Sequence, residues 1–268
     1  MGVAYNHHLR NEYQQLFDHC SIQAKRYRDV DAGVDRIVRN RPRYEAVSAR
    51  TGVPWYFIGI LHYMECSCNF STHLHNGDPL TARTIHVPRG YPKSSQPPFS
   101  WEESAADALR LKKLDSWADW SVPGMLYKME LYNGFGYRPR GIHSPYLWSF
   151  SNQYTKGKYT ADGYYDPNAV SKQIGAAVLL RRMSERQLAV AGEVDVITLI
   201  RKVGSEVVFD PSVYNKQAET LQVLLNSAGQ HLRVDGKAGE KTSDAFQRIT
   251  GYYLQGDSRK QPERPIST

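Results

Sequence analysis

Glu65 is the residue whose setting most suggests chemistry. It closes the run Trp55-Tyr56-Phe57-Ile58-Gly59-Ile60-Leu61-His62-Tyr63-Met64, which contains no other carboxylate. Burial beside apolar groups disfavours the charged form and raises a carboxyl pKa. A carboxyl held protonated near neutrality can act as a general acid toward a glycosidic oxygen. The competing reading is a structural glutamate paired with one of the many arginines. Asp78 lies downstream in Asn76-Gly77-Asp78-Pro79. There it is either a second carboxylate of the site or simply a turn former. Thr81 and Thr84 are placed to assist it. Glu102 and Glu103 are further carboxylates, but a helix N-terminus already explains them. Two carboxyls act by inversion at roughly 6.5–9.5 Å and by retention at about 5–5.5 Å, a distance that sequence does not supply.

His62, Cys66, Cys68, His73 and His75 gather nearby. Cys-x-Cys is not a zinc-finger spacing, and on a helix the two thiols face different ways. No Cys-His nucleophile signature is present either. No metal and no cofactor is therefore expected. Three cysteines in the whole chain fit synthesis in a reducing compartment rather than a disulfide scaffold.

These residues need a frame. The chain has 268 residues, 41% of them hydrophobic and 23% charged, enough for one large or two unequal cored domains. No run of about 18 apolar residues crosses a membrane. The start, MGVAYNHHLRNEYQQLF, lacks a secretory signal. The net charge of +7 falls mostly on the N-terminal part, from Arg36 to Arg43 onward. Such a surface attracts polyanions in general, but no nucleic-acid-binding motif accompanies it, so nucleic acid is not an expected partner. The 18 tyrosines suit flat, polar ligands such as sugars.

Periodicity predicts helices over 3–50, a break at Thr51-Gly52-Val53-Pro54, and a buried central helix from Trp55. Residues 72–100 turn polar and rich in Gly and Pro. They predict a small hairpin, with Thr84–Val87 favouring strand, or an irregular extended lobe. Ser100 caps a helix running to about Trp117–Trp120. Val122-Pro123-Gly124 interrupts it, MLYKMELYN resumes it, and Asn133-Gly134 ends it. Residues 137–165 are loop-rich. Asp166-Pro167 opens a further helix with Ala169, Ile174, Ala177, Val178 and Leu180 on its apolar side. Residues 186–209 serve either as a helical linker or as the last helix of the first domain. Residues 258–268 are polar and proline-bearing, a disordered tail.

Residues 210–257 form a unit of their own. Leu221-Gln222-Val223-Leu224-Leu225-Asn226, Gly229, Val234-Asp235-Gly236-Lys237-Ala238-Gly239, Thr242, Ala245 and Phe246-Gln247 resemble the small three-helix peptidoglycan-binding module of cell-wall hydrolases. The resemblance covers about forty positions and implies a wall-binding role for Asp235, Gly236, Gly239 and Thr242. Ala238 departs from it, because the family usually carries a large aromatic there.

Upstream, PWYFIGILHYMECSCNF, HLHNGDPLTARTIHVPRG, PPFSWEESAADAL, YNGFGYR and HSPYLWSFSNQY resemble a group of lysozyme-family proteins from bacteria and their phages. This likeness covers most of residues 1–183. It implies a mainly α fold: a lysozyme-like α+β catalytic domain over 1–209, with a small extended lobe, joined to the three-helix module. It also implies a muramidase that cleaves the MurNAc–GlcNAc β-1,4 bond, with Glu65 as acid and Asp78 and Thr84 near the water. The alternatives are a lytic transglycosylase, which needs one carboxylate and leaves anhydro-sugar ends, and a non-catalytic wall-binding protein. Tyr132-Asn133-Gly134-Phe135-Gly136-Tyr137 resembles the Tyr-Asn-Gly-Gly cleft floor of goose-type lysozymes and lytic transglycosylases. Tyr132, Asn133, Gly134 and Tyr137 would then contact glycan, with Tyr146, Trp148, Tyr154 and Tyr159 as stacking platforms. The expected partner is bacterial peptidoglycan, met by a monomer with no stable membrane insertion. Synthesis in the cytoplasm and release to the wall through a holin-type lesion fits the missing signal.

Overall fold

The computed structural model describes residues 3–161, 163–188 and 196–259. It is mainly helical and divides into two compact units between Ala191 and Gly192. The expected tail lies outside the described residues from 260 onward, as do residues 189–195 of the expected linker.

The first unit is built on α1 (His7–Asp18), α2 (Tyr27–Arg39), α3 (Arg41–Thr51), α4 (Trp55–Cys66), α5 (Trp101–Leu111), α6 (Val122–Asn133), a single turn α7 (Pro145–Trp148) and α8 (Ala176–Glu185). α4 is the centre, packed by α2, α3 and α8. Its Phe57, Ile58, Ile60 and Leu61 are fully buried. Each such side chain contributes roughly 1.5–3 kcal/mol of hydrophobic stabilisation. Gly52, in the left-handed region at φ 71°, ends α3, and Pro54 caps α4, so the chain turns where the sequence breaks.

Three elements differ from the sequence reading. Val122-Pro123-Gly124 does not interrupt a helix but starts α6, with Pro123 in the first turn where its missing N–H costs nothing. α5 stops at Leu111. The helix expected from Asp166 begins at Ala176, because Asp166 turns its carboxylate onto the amides of Asn168 and Ala169 and holds a loop instead. Of the two forms expected for residues 72–100, a small hairpin or an irregular lobe, the lobe is the one taken. β1 (Lys158–Ala161) and β2 (Tyr164–Asp166) pair antiparallel, whereas residues 72–100 form an irregular lobe whose one bridge joins Thr72 and Pro79. Ser100 caps α5 as expected, in a reciprocal capping box with Glu103.

The second unit holds α9 (Val196–Ser205), α10 (Lys216–Ser227) and α11 (Glu240–Thr250). α9 packs on α10 and α11, so residues 196–209 belong to this unit rather than to the first domain or a linker. A Cβ on Gly204 would sit 2.1 Å from the Phe246 ring, which shows how closely α9 approaches α11. No helix among the described residues is long and apolar enough to cross a membrane.

Candidate active site

α4 delivers Glu65 to the surface on its last turn. Just beyond it the helix is closed by nested bonds, from Ser67 N–H to the Tyr63 carbonyl and from Cys68 N–H to that of His62. Glycine normally occupies such a closure. Here Ser67 and Cys68 both take left-handed backbone, at φ 49° and 57°. Each costs roughly 1–2 kcal/mol relative to glycine. Local strain of this kind persists where the surrounding packing over-determines it, often beside functional groups.

The Glu65 carboxylate is solvent-exposed, yet protein crowds it closely enough that desolvation raises its pKa. Two groups pull the other way: the Tyr146 hydroxyl, which donates to Oε1 at 2.7 Å, and the Lys112 ammonium. The Lys112 Nζ lies 4.9 Å from the centroid of the Tyr132 ring, and the Tyr132 hydroxyl donates to the Leu74 carbonyl at 3.2 Å. Gln173 donates to the Met64 carbonyl at 2.8 Å. The cluster is thus assembled by α4, the end of α5, α6, α7 and the segment before α8. Lys112 and Gln173 carry no motif signal and were not anticipated. Only the tertiary fold brings them to Glu65.

Asp78 and Thr84 are not free for catalysis in this arrangement. Asp78 is 6% exposed. Its Oδ2 accepts from Ile85 N–H at 2.8 Å, His86 N–H at 3.0 Å and the Asn76 amide at 3.0 Å. Its Oδ1 meets His86 Nδ1 at 2.6 Å. The His86 bonds chiefly hold the carboxyl far below the usual carboxylate range. Thr84, 2% exposed, donates to the Pro88 carbonyl at 2.5 Å and accepts from Tyr91 N–H at 3.0 Å. Both side chains organise the 84–91 loop.

The aromatic candidates divide. Tyr132 and Tyr146 are half-buried beside Glu65. Asn133 is exposed, and Gly134 has φ 91° and ψ 154°, a conformation essentially confined to glycine, with open space where a Cβ would stand. Tyr137 and Tyr154 are instead buried struts. Tyr137 accepts from Tyr159 N–H at 3.1 Å, and Tyr154 donates to the Gly157 carbonyl at 3.1 Å while accepting from Ser171 N–H at 3.2 Å. Trp148 is 2% exposed and belongs to the core. Their burial leaves no ring face for a sugar.

The thiol and imidazole groups are likewise engaged. Burial pushes the Cys66 thiol up to about 11, which leaves almost no nucleophilic thiolate at neutral pH. His62 faces the Asn69 carbonyl through Nε2 and the Tyr44 hydroxyl through Nδ1, and burial lowers it to about 4. His73 is held by Ser104 and the Ala82 carbonyl, and His75 by Asp107.

In the second unit, Gln222 is the hub that sequence did not single out. Its Oε1 accepts from Asp235 and Gly236 N–H, each at 2.9 Å. Its Nε2 donates to Asp235 Oδ1, the Lys237 carbonyl and Thr242 Oγ1. Asp235 and Thr242 are therefore turn-fixing groups. Gly236 is left-handed at φ 69°, whereas Gly239 is ordinary extended backbone at the α11 N-cap. Ala238 is buried, so a large aromatic has no room there without repacking. Beside this turn lies a cavity of about 510 Å³ whose lining includes Phe209, Arg233, Lys237 and Lys241. No family model matches the chain, and neither a curated protein nor a solved structure matches it significantly.

Proposed function

We propose that the first unit cleaves the glycan strand of bacterial peptidoglycan at the MurNAc–GlcNAc β-1,4 bond, as a muramidase with Glu65 as general acid. The observation that carries this reading is the setting of Glu65: a solvent-reached carboxyl on the last turn of the buried α4, raised in pKa by desolvation and oriented by Tyr146. A raised pKa carries the protonated form to higher pH than in a free carboxyl, and such a group can give its proton to the leaving oxygen. Tyr132, Asn133 and Gly134 would lie along the sugar. The second unit would hold the enzyme on the wall, with Arg233, Lys237 and Lys241 facing the carboxylates of the peptide stems.

One observation favours a second reading of the product. Hydrolysis needs a group to orient water, and Asp78 and Thr84 are both committed to the lobe's own backbone. A lytic transglycosylase needs no such group, since the sugar's own C6 hydroxyl attacks the anomeric carbon. Mass spectrometry of digested sacculi tests both readings. Reducing muropeptide ends identify hydrolysis, and 1,6-anhydro ends identify transglycosylation. Neither end appearing, with the wall still bound and sedimented, overturns the enzyme and leaves a wall-binding protein.

A further inference from the structure

A cavity of about 230 Å³ in the first unit, apart from the Glu65 cluster, carries an unspent set of polar atoms. Glu130 is on α6, two residues from Tyr132 and so on the other side of that helix. It is 3% exposed. Its Oε2 accepts from Tyr13 Oη at 2.5 Å and from Arg138 Nε and Nη2 at 3.2 and 2.8 Å. Its Oε1 accepts nothing among the described residues. Ser144, 2% exposed, also lines the cavity, and its Oγ is buried with no partner. His143 Nδ1 lies 3.0 Å from the Gln153 carbonyl and must donate to it, so the neutral ring's Nε2 can only accept. Arg138 is largely spent: its Nη1 bonds both oxygens of Glu12, at 2.9 and 3.3 Å, and one Nη2 N–H remains.

The balance of these groups selects the ligand. Two carboxylates face one guanidinium, so the cavity carries an excess negative charge and repels anions. Apart from that one Arg138 N–H, its unspent atoms are acceptors, or a hydroxyl able to accept. Leu16, Ile142 and Trp148 supply an apolar wall. A buried polar atom without a partner is destabilising, and a ligand that satisfies it recovers that cost. We propose that this cavity is a binding site for the ammonium group of a short primary alkylamine, with its N–H donors on Glu130 Oε1 and Ser144 Oγ and its carbon chain against Leu16 and Ile142. The proposal does not depend on any activity at Glu65.

The test is titration of the full-length protein with n-butylammonium, followed by NMR of the Gly141 amide and the Trp148 indole. n-Butanol and tetramethylammonium serve as controls, the first without charge and the second without N–H donors. The expected result is saturable shifts with n-butylammonium and at least about tenfold weaker binding of both controls. Ser144→Ala weakens n-butylammonium severalfold and leaves n-butanol unchanged. Glu130→Gln abolishes the preference for the cation, and because it also touches Tyr13 and Arg138 its folding is checked by circular dichroism. If that variant does not fold, the Ser144→Ala comparison decides alone. Equal binding of n-butylammonium and n-butanol, or binding unaffected by Ser144→Ala, overturns the proposal and leaves a cavity filled by water only.

Discussion

A general acid must keep its proton until the leaving oxygen draws it and then persist briefly as an anion. On the proposed reading, Glu65 meets both demands through opposed influences. Crowding by protein favours the protonated form, while Tyr146 and Lys112 stabilise the carboxylate. Removing either stabiliser tips the balance toward the protonated form. Tyr146→Phe should therefore move the falling basic limb of the pH–rate profile to higher pH, measured as the rate of wall clearing across pH. A limb that stays put or moves down contradicts the account of Glu65. Asp78 separates a structural from a catalytic role. In Asp78→Asn the amide oxygen can still accept from the 85 and 86 N–H groups, and its NH₂ can donate to neutral His86 Nδ1. That variant should keep activity within a few-fold, whereas Asp78→Ala should lower both the melting temperature and the activity. A loss of about 10²-fold or more in a fully folded Asp78→Asn would restore Asp78 as a catalytic group. The sign of the pH dependence follows from its depressed pKa. The bonds of Asp78 stabilise the fold above its unfolded pKa, and that contribution fades as pH falls toward the folded value. The stability gap between wild type and Asp78→Ala should therefore narrow in strong acid.

The elements show what can be read ahead of the structure. α4 and its terminal glutamate were legible because an apolar run with one carboxylate has few interpretations. The cap at Ser100 was legible because Ser-x-x-Glu is a local, reciprocal device. Val122-Pro123-Gly124 was misplaced because proline both breaks and begins helices, and only the neighbouring chain decides which. The roles of Asp78, Tyr137 and Tyr154 were hidden for a related reason. An acceptor or a hydroxyl looks the same in sequence whether it faces a sugar or a backbone amide. The place of α9 stays open in the sequence, between a linker and the first domain, because it carries no motif, only Ile200 and Val203 that bury in the second unit's core. A direct consequence is that a fragment of 192–259 should fold, with a cooperative melt. A fragment of 210–257 lacks α9 and should not, since Phe246 loses the backbone that packs on it at Gly204. A cooperative melt of the shorter fragment at equal temperature would contradict the assignment of α9.

At the scale of the whole molecule, the proposed reading joins a catalyst in the first unit to a binder in the second. Linking the two raises the local concentration of substrate without changing the chemistry. Residues 1–191 alone should keep near-full activity on soluble glycan fragments and lose most of it on intact sacculi. Equal loss on both substrates would contradict that division of labour. The central claim rests on one proton. Glu65→Gln keeps size and hydrogen bonding but removes that proton, and because the raised folded pKa penalises the ionised carboxyl, the variant should be no less stable at neutral pH. The measurement is the clearing rate of purified walls by wild type and Glu65→Gln at matched folded fraction and neutral pH. The account predicts a fall of about 10²–10⁴-fold; clearing at near the wild-type rate would contradict it.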